Sequence, residues 1–282
     1  MTSETTIPSC SFVYLPGAAG GEADLTILSA SLENTVRFVN IDYLGWQHYV
    51  SEGFSPRGLI AELAAQISTK VPQDPIFIAG ASLGGHFGYA AALHLQGMGR
   101  EIAGFCAIDT FMIHSSGPSE GWQSRALAEG LEVLRKGRLG KFTRFVRSRF
   151  WRSMFRLANY RLSSRLRRSA NSGRLPWVLA FDPIAEEELS MRLLLREVAP
   201  WIPSLDREPV ALMAPAILIR TPHTARDDAT WRLRCPNIGI YEISGRHHSL
   251  FEPENIGSLR DAFVTATREW CQRPPAATGS PS

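Results

Sequence analysis

Gly80-Ala81-Ser82-Leu83-Gly84 is a stretch that can hold one serine at the tip of a sharp turn, its hydroxyl free to attack a carbonyl carbon. The glycines have a steric reason. Where a strand turns abruptly into a helix, bulky Cβ groups beside the nucleophile would make the two elements collide. A serine hydroxyl is a poor nucleophile until a base takes its proton, and the base needs an acid to fix its tautomer. For a serine in such a turn the expected chain order is Ser, then Asp or Glu, then His. Gly245-Arg246-His247-His248-Ser249 supplies the imidazole, and His247 is favoured over His248, since adjacent side chains point in different directions. The acid is open between Asp109 and the pair Asp227 and Asp228, because each follows an apolar run that reads as a strand. The negative charge that develops on an attacked carbonyl needs two N–H donors. The backbone of Leu83 is one, and Ala18 in Pro16-Gly17-Ala18-Ala19-Gly20 is the other.

Strands and helices must alternate to bring these groups to one edge. Residues 11–15, 36–41, 76–79, 102–108, 216–219 and 238–243 are short apolar runs of the kind a buried parallel strand uses. Helical spacing follows over 56–68, after Ser82, and over 256–270. This alternation predicts an α/β protein with a mostly parallel, doubly wound sheet. The interval from Asp109 to about Ala214 breaks the pattern. Leu139, Phe142, Phe145, Val146, Phe150, Met154 and Leu157 make an amphipathic helix with arginines opposite, and Leu189, Leu193, Leu194 and Val198 suggest another. The expected division is therefore a core of 1–110 and 206–272, an inserted helical lid of 111–205, and a disordered Pro/Ser/Gly-rich tail of 273–282.

Bulk composition narrows the class. At 282 residues and 44% hydrophobic, the chain can build one α/β core plus an insertion. No run approaches the ~20 apolar residues that span a bilayer. The first residues lack a secretory pattern, and the Met1 start with a short polar leader suggests a free-standing protein. Cys10, Cys106, Cys235 and Cys271 are widely spaced, which fits a reduced cytoplasmic protein and provides no metal-ligand spacing. The net charge of +3 hides a strong asymmetry, because residues 125–174 carry fifteen Lys/Arg against Glu129 and Glu132. Such a basic stretch suits an acidic partner or an anionic surface; a solvated helix face, or one docked on the acidic remainder, is the other reading. No nucleic-acid recognition motif accompanies it.

In order along the chain, these residues resemble the thioesterase domains of non-ribosomal peptide synthetases and polyketide synthases, members of the α/β-hydrolase superfamily. Leu15-Pro16-Gly17-Ala18-Ala19-Gly20-Gly21, Gly80-Ala81-Ser82-Leu83-Gly84-Gly85, Gly99 to Asp109, Trp231 and Gly245 to Pro253 carry the likeness. Arg246 and His248 depart from the residues that family often has, and 111–205 shows no match to it. The resemblance implies an α/β-hydrolase fold with a mobile helical lid and a triad of Ser82, Asp109 and His247. It thereby puts Asp109 ahead of Asp227 and Asp228. It also implies a substrate acyl, peptidyl or polyketide chain carried on the phosphopantetheine of an acyl or peptidyl carrier protein, with no cofactor of the enzyme's own. Arg144, Arg147, Arg149, Arg152 and Arg156 are then candidates for docking that carrier. Two other readings share these residues: a carboxylesterase or lipase working at a membrane surface without stable insertion, and a catalytically idle interaction module.

Overall fold

Apolar strands that are covered on both faces pair in parallel, and that is what the computed structural model of this chain contains. It describes residues 10–18, 22–32, 36–73, 75–111, 135, 139–157, 159–172, 182–222, 224 and 227–272. Six strands form one sheet: β1 (Cys10–Leu15), β2 (Val36–Asn40), β3 (Ile76–Ala81), β4 (Ile102–Ile108), β5 (Ala216–Arg220) and β6 (Ile238–Glu242). Their order is β2-β1-β3-β4-β5-β6, and every pairing is parallel. The chain runs outward from β1 to β2, then returns to lay β3 on the other side of β1. The crevice at the carboxyl ends of β1 and β3 is thus the topological switch point, where open α/β sheets bind ligands.

The chain divides into two compact units, one of residues 1–43, 57–112 and 202–282, the other of 44–56 and 113–201. The first holds the sheet. Helices α1 (Glu22–Ser31) and α9 (Pro253–Gln272) cover one face, where Phe12, Tyr14, Leu28, Ile217, Leu259 and Phe263 pack together. The rings of Phe12 and Phe263 meet edge to face at 5.1 Å. Helix α4 (Leu83–Gly97) covers the opposite face, with Gly88 lying against Ile78, Phe105 and Leu15. Helix α3 (Pro56–Lys70) buries Leu59, Ile60, Leu63, Ala64 and Ile67, the face its spacing predicts. Helix α8 (Asp228–Arg234) lies between β5 and β6 in sequence. Cys10 and Cys271 are far apart in sequence, yet both belong to the packed face of Phe12 and Phe263 and both are free thiols.

Among the described residues, the regular structure of the second unit is helix. It contains α2 (Trp46–Tyr49), α5 (Leu139–Leu157), α6 (Asn159–Ser172) and α7 (Pro183–Val198). Asp182 caps α7, accepting from the Ile184 N–H at 2.9 Å, and also receives Arg147 (3.2 and 2.7 Å) and the Trp151 indole N–H (2.6 Å). Burial alone would raise the Asp182 carboxyl, but the donors from Trp151, Arg147 and Ile184 outweigh it and hold it below the usual range. Arg144 pairs with Glu187 at 2.6 Å, and Arg152 pairs with buried Glu188 at 2.7 Å. Of the predicted lid, 112–134, 136–138, 158 and 173–181 lie outside the described residues, as does the predicted tail 273–282. Among the described residues, no helix is long and apolar enough to cross a membrane.

Candidate active site

Ser82 ends β3 and begins α4 with φ 53° and ψ −120°, a backbone region that side chains rarely occupy. The surroundings over-determine it. Its N–H donates to the Ile108 carbonyl at 2.8 Å, tying the turn to β4. A Cβ on Gly80 would collide with the Gly84 carbonyl, and one on Gly84 would collide with the carbonyls of Leu15 and Pro16. These two glycines let strand, helix and the loop after β1 close around the serine. The serine is half-buried, so its hydroxyl is neither sequestered nor fully solvated.

His247 lies in a 3₁₀ turn, His247–Ser249, that follows β6. Its Nε2 is 3.2 Å from the Ser82 Oγ, and its Nδ1–H donates to Asp109 Oδ2 at 2.6 Å. The ionised carboxylate can only accept, so Nδ1 carries the hydrogen and Nε2 presents a lone pair to the serine. Asp109 follows β4 at φ 47° and is 1% exposed. Its other oxygen, Oδ1, accepts from the Thr221 N–H at 2.8 Å and from the Thr224 hydroxyl. Burial pushes this carboxyl up, but the bonds from His247, Thr224 and Thr221 prevail and lower it below its ordinary value. Ser82 and Asp109 are the two non-glycine residues with positive φ among the described residues.

The competing acid is used elsewhere. Asp228 pairs with buried Arg220, which also holds Glu242 at 2.9 Å, while Asp227 precedes α8 and accepts the Trp231 N–H at its carbonyl. The loop after β1 does reach the serine, since a Cβ on Gly17 would stand 3.5 Å from the Ser82 Cβ. Ala18 follows in the same turn, and Leu83 is the first residue of α4, where helix N–H groups have no partner within the helix. Tyr43 supports that loop, donating its hydroxyl to the Pro16 carbonyl at 2.5 Å. Among the described residues, no group of three or more His, Cys, Asp or Glu is arranged to hold a metal ion.

Sequence reasoning missed Thr221, Thr224, Tyr43, Phe111 and His86. The Phe111 ring meets the His247 imidazole edge-on at 5.1 Å, and His86 donates to the Phe111 carbonyl at 3.0 Å. His86, two residues past Gly84 and within the first turn of α4, was the one available signal. Trp231, singled out by the family resemblance, is fully buried, lies parallel to His86, and donates to the Thr110 carbonyl at 3.3 Å. The five candidate docking arginines all lie on α5, and Arg144, Arg147 and Arg152 form the ion pairs with α7 described above.

Residues 12–157, more than half of the chain, match the family model for the thioesterase domain. Among solved structures, the chain is similar to the NocB thioesterase domain in covalent complex with a fluorophosphonate nocardicin G analog. That match has 17% identity and a TM-score of 0.58, covering 93% of this chain and 96% of the other. It is also similar to the Vlm2 thioesterase domain bound with a dodecadepsipeptide, at 14% identity and TM-score 0.57, covering 93% and 94%. A four-domain nonribosomal peptide synthetase bound to AMP and glycine matches at 16% identity and TM-score 0.57, over 90% of this chain and 19% of that one. No curated protein sequence matches.

Proposed function

Because this chain belongs to the thioesterase domain family, we propose that it releases an acyl, peptidyl or polyketide chain from the phosphopantetheine of a carrier protein through an acyl-serine at Ser82. The observation that carries the reading is the hydrogen-bonded series Ser82–His247–Asp109, with the serine in a strained turn at the sheet's switch point. The His247 Nε2 takes the Ser82 proton as Oγ bonds to the thioester carbonyl carbon. Asp109 stabilises the imidazolium that forms. The N–H groups of Leu83 and Ala18 receive the oxyanion, each worth about 3 kcal/mol in the transition state. Collapse breaks the C–S bond, and His247 returns its proton to the departing sulfur. Water, or a hydroxyl or amine of the acyl chain itself, then attacks the acyl-serine with His247 taking its proton, and collapse breaks the bond to Ser82 Oγ as His247 returns that proton to the serine. The protein supplies every group this cycle needs, with no cofactor.

The carrier protein is part of the proposal. Of the five arginines, Arg144, Arg147 and Arg152 already neutralise Glu187, Asp182 and Glu188, so docking through these three would require their pairs to open. Salt-insensitive turnover of a carrier-bound substrate would exclude an electrostatic role for the arginines of α5. One observation favours a second reading, an esterase at an anionic membrane surface. Val146, Phe150, Met154 and Leu157 form an exposed apolar stripe along α5, Leu157 being 85% exposed. Binding to anionic vesicles together with turnover of free esters would favour it.

The test is intact-protein mass spectrometry after exposure to a fluorophosphonate and to a panel of acyl-pantetheine thioesters. The expected result is one covalent adduct on Ser82 that Ser82→Ala abolishes. An adduct that persists on Ser82→Ala would overturn the assignment.

A further inference from the structure

His86 has no exposed surface, and the reaction proposed above makes no use of it. A buried imidazole is costly unless both nitrogens are satisfied. Here they are, in a single arrangement. The Phe111 carbonyl can only accept, so His86 Nε2–H donates to it at 3.0 Å. Arg234 can only donate, so its Nη1–H meets His86 Nδ1 at 2.9 Å. Arg234 is itself 1% exposed, its charge balanced by Asp206 at 2.7 Å, with a further bond to the Ile202 carbonyl at 3.2 Å. Trp231 lies parallel to the His86 ring at 5.8 Å, and the Arg234 guanidinium sits over Trp231 at 5.3 Å.

Three consecutive residues are anchored beside this cluster, the first by β5 and the other two by the cluster itself. Asp109 is bound through its N–H to Ile219, Thr110 through its carbonyl to Trp231, and Phe111 through its carbonyl to His86. The first of them holds the His247 Nδ1–H, and the third packs its ring on the same imidazole. Phe111 and Ile202 also lie where the first unit leaves off before residue 113 and resumes at 202, so one buried pair grips both ends of that interruption.

We propose that His86, oriented by Arg234, is a positioning residue. By holding the Phe111 carbonyl it sets the path of 109–111, and through Asp109 and the Phe111 ring it sets the tilt and distance of the His247 imidazole relative to Ser82. The inference rests on the reading of Ser82 as the nucleophile. His86 touches no reacting atom. Its effect therefore belongs in kcat and in the acylation rate rather than in KM.

The two nitrogens can be separated by substitution. In His86→Asn the side-chain oxygen can replace Nδ1 as acceptor for Arg234, while nothing reaches Phe111. In His86→Gln the longer amide keeps a donor near Nε2. The readouts on the full-length chain are the rate constant for fluorophosphonate labelling of Ser82, the split of kcat against KM on an acyl-pantetheine thioester, and the low-field proton resonance of His247 Nδ1–H. Thermal unfolding controls for folding. His86→Asn is expected to slow labelling and kcat by about 10- to 100-fold with KM little changed, the scale of losing an outer-shell partner or an ångström of placement. Its low-field resonance should shift or vanish, and His86→Gln should restore most of both. Equal labelling of His86→Asn and the wild type, or equal losses in both variants that follow their unfolding temperatures, would overturn the proposal. If His86→Asn does not fold, Phe111→Ala takes its place, and wild-type labelling of that variant would overturn the proposal too. Failure of the wild type to label at Ser82 would instead remove the underlying reading.

Discussion

Mildly acidic solution should destabilise this protein through His86. Burial first, and the neighbouring Arg234 charge second, lower the imidazole from 6.5 to about 3, against a smaller opposing effect of the Phe111 carbonyl. In the unfolded chain the same group takes a proton near 6.5. Between those two values the unfolded state holds more protons, so stability falls as pH falls. From about pH 7 to about pH 5 the loss works out at roughly 2 kcal/mol, or about 4–8 °C in Tm for a chain of this size. Asp109 does not contribute in that window, because its carboxyl is already held below its ordinary value of 3.8. The assay is thermal unfolding of wild type and His86→Asn at the two pH values. His86→Asn should be the less stable protein at neutral pH, and the gap between the two should narrow by about 4–8 °C on acidification. Parallel pH dependence in both would refute the argument that a neutral, buried His86 is linked to folding.

Three further outcomes are expected. Gly84→Ala should cost about 3 kcal/mol or more, because the new methyl meets two backbone carbonyls that cannot move independently; unchanged urea unfolding would contradict this. Asp109→Asn should slow labelling of Ser82 by about 10⁴-fold, since a side-chain amide cannot accept from His247, Thr221 and Thr224 together without facing one donor with another. Labelling within a few-fold of wild type would refute the role given to the carboxylate. Asp182→Ala should cost about 1–2 kcal/mol for the lost α7 cap, measured as faster amide exchange in the first turn of that helix.

Much of the fold could be read in advance because its signals are local. All six strands lie within a residue or two of their apolar runs, and the serine turn identifies itself through glycines that only a close approach of strand and helix requires. Helices α1 and α6 were not anticipated. The first follows a glycine-rich loop, and the second is a polar, arginine-rich segment with few apolar positions to mark a period. The arginines of α5 were legible as a charge excess but not as partners, since the acids that answer them lie 35 to 43 residues further on.

Residue types and spacing along the chain were enough to specify a parallel α/β sheet, a strained serine turn and a histidine loop at its carboxyl edge. They could not choose between Asp109 and the pair Asp227 and Asp228, because β4 and β5 are neighbours and both end toward the same imidazole. In the fold the two positions have different partners. The Ile108–Ile219 register brings the Thr221 N–H to Asp109, while Arg220 takes up Asp228. The same holds for His86 and Arg234, 148 positions apart, whose bond exists only once α4 and α8 are packed. A hydrogen bond depends on a few ångströms in space, and no periodicity along the chain encodes a distance of that kind.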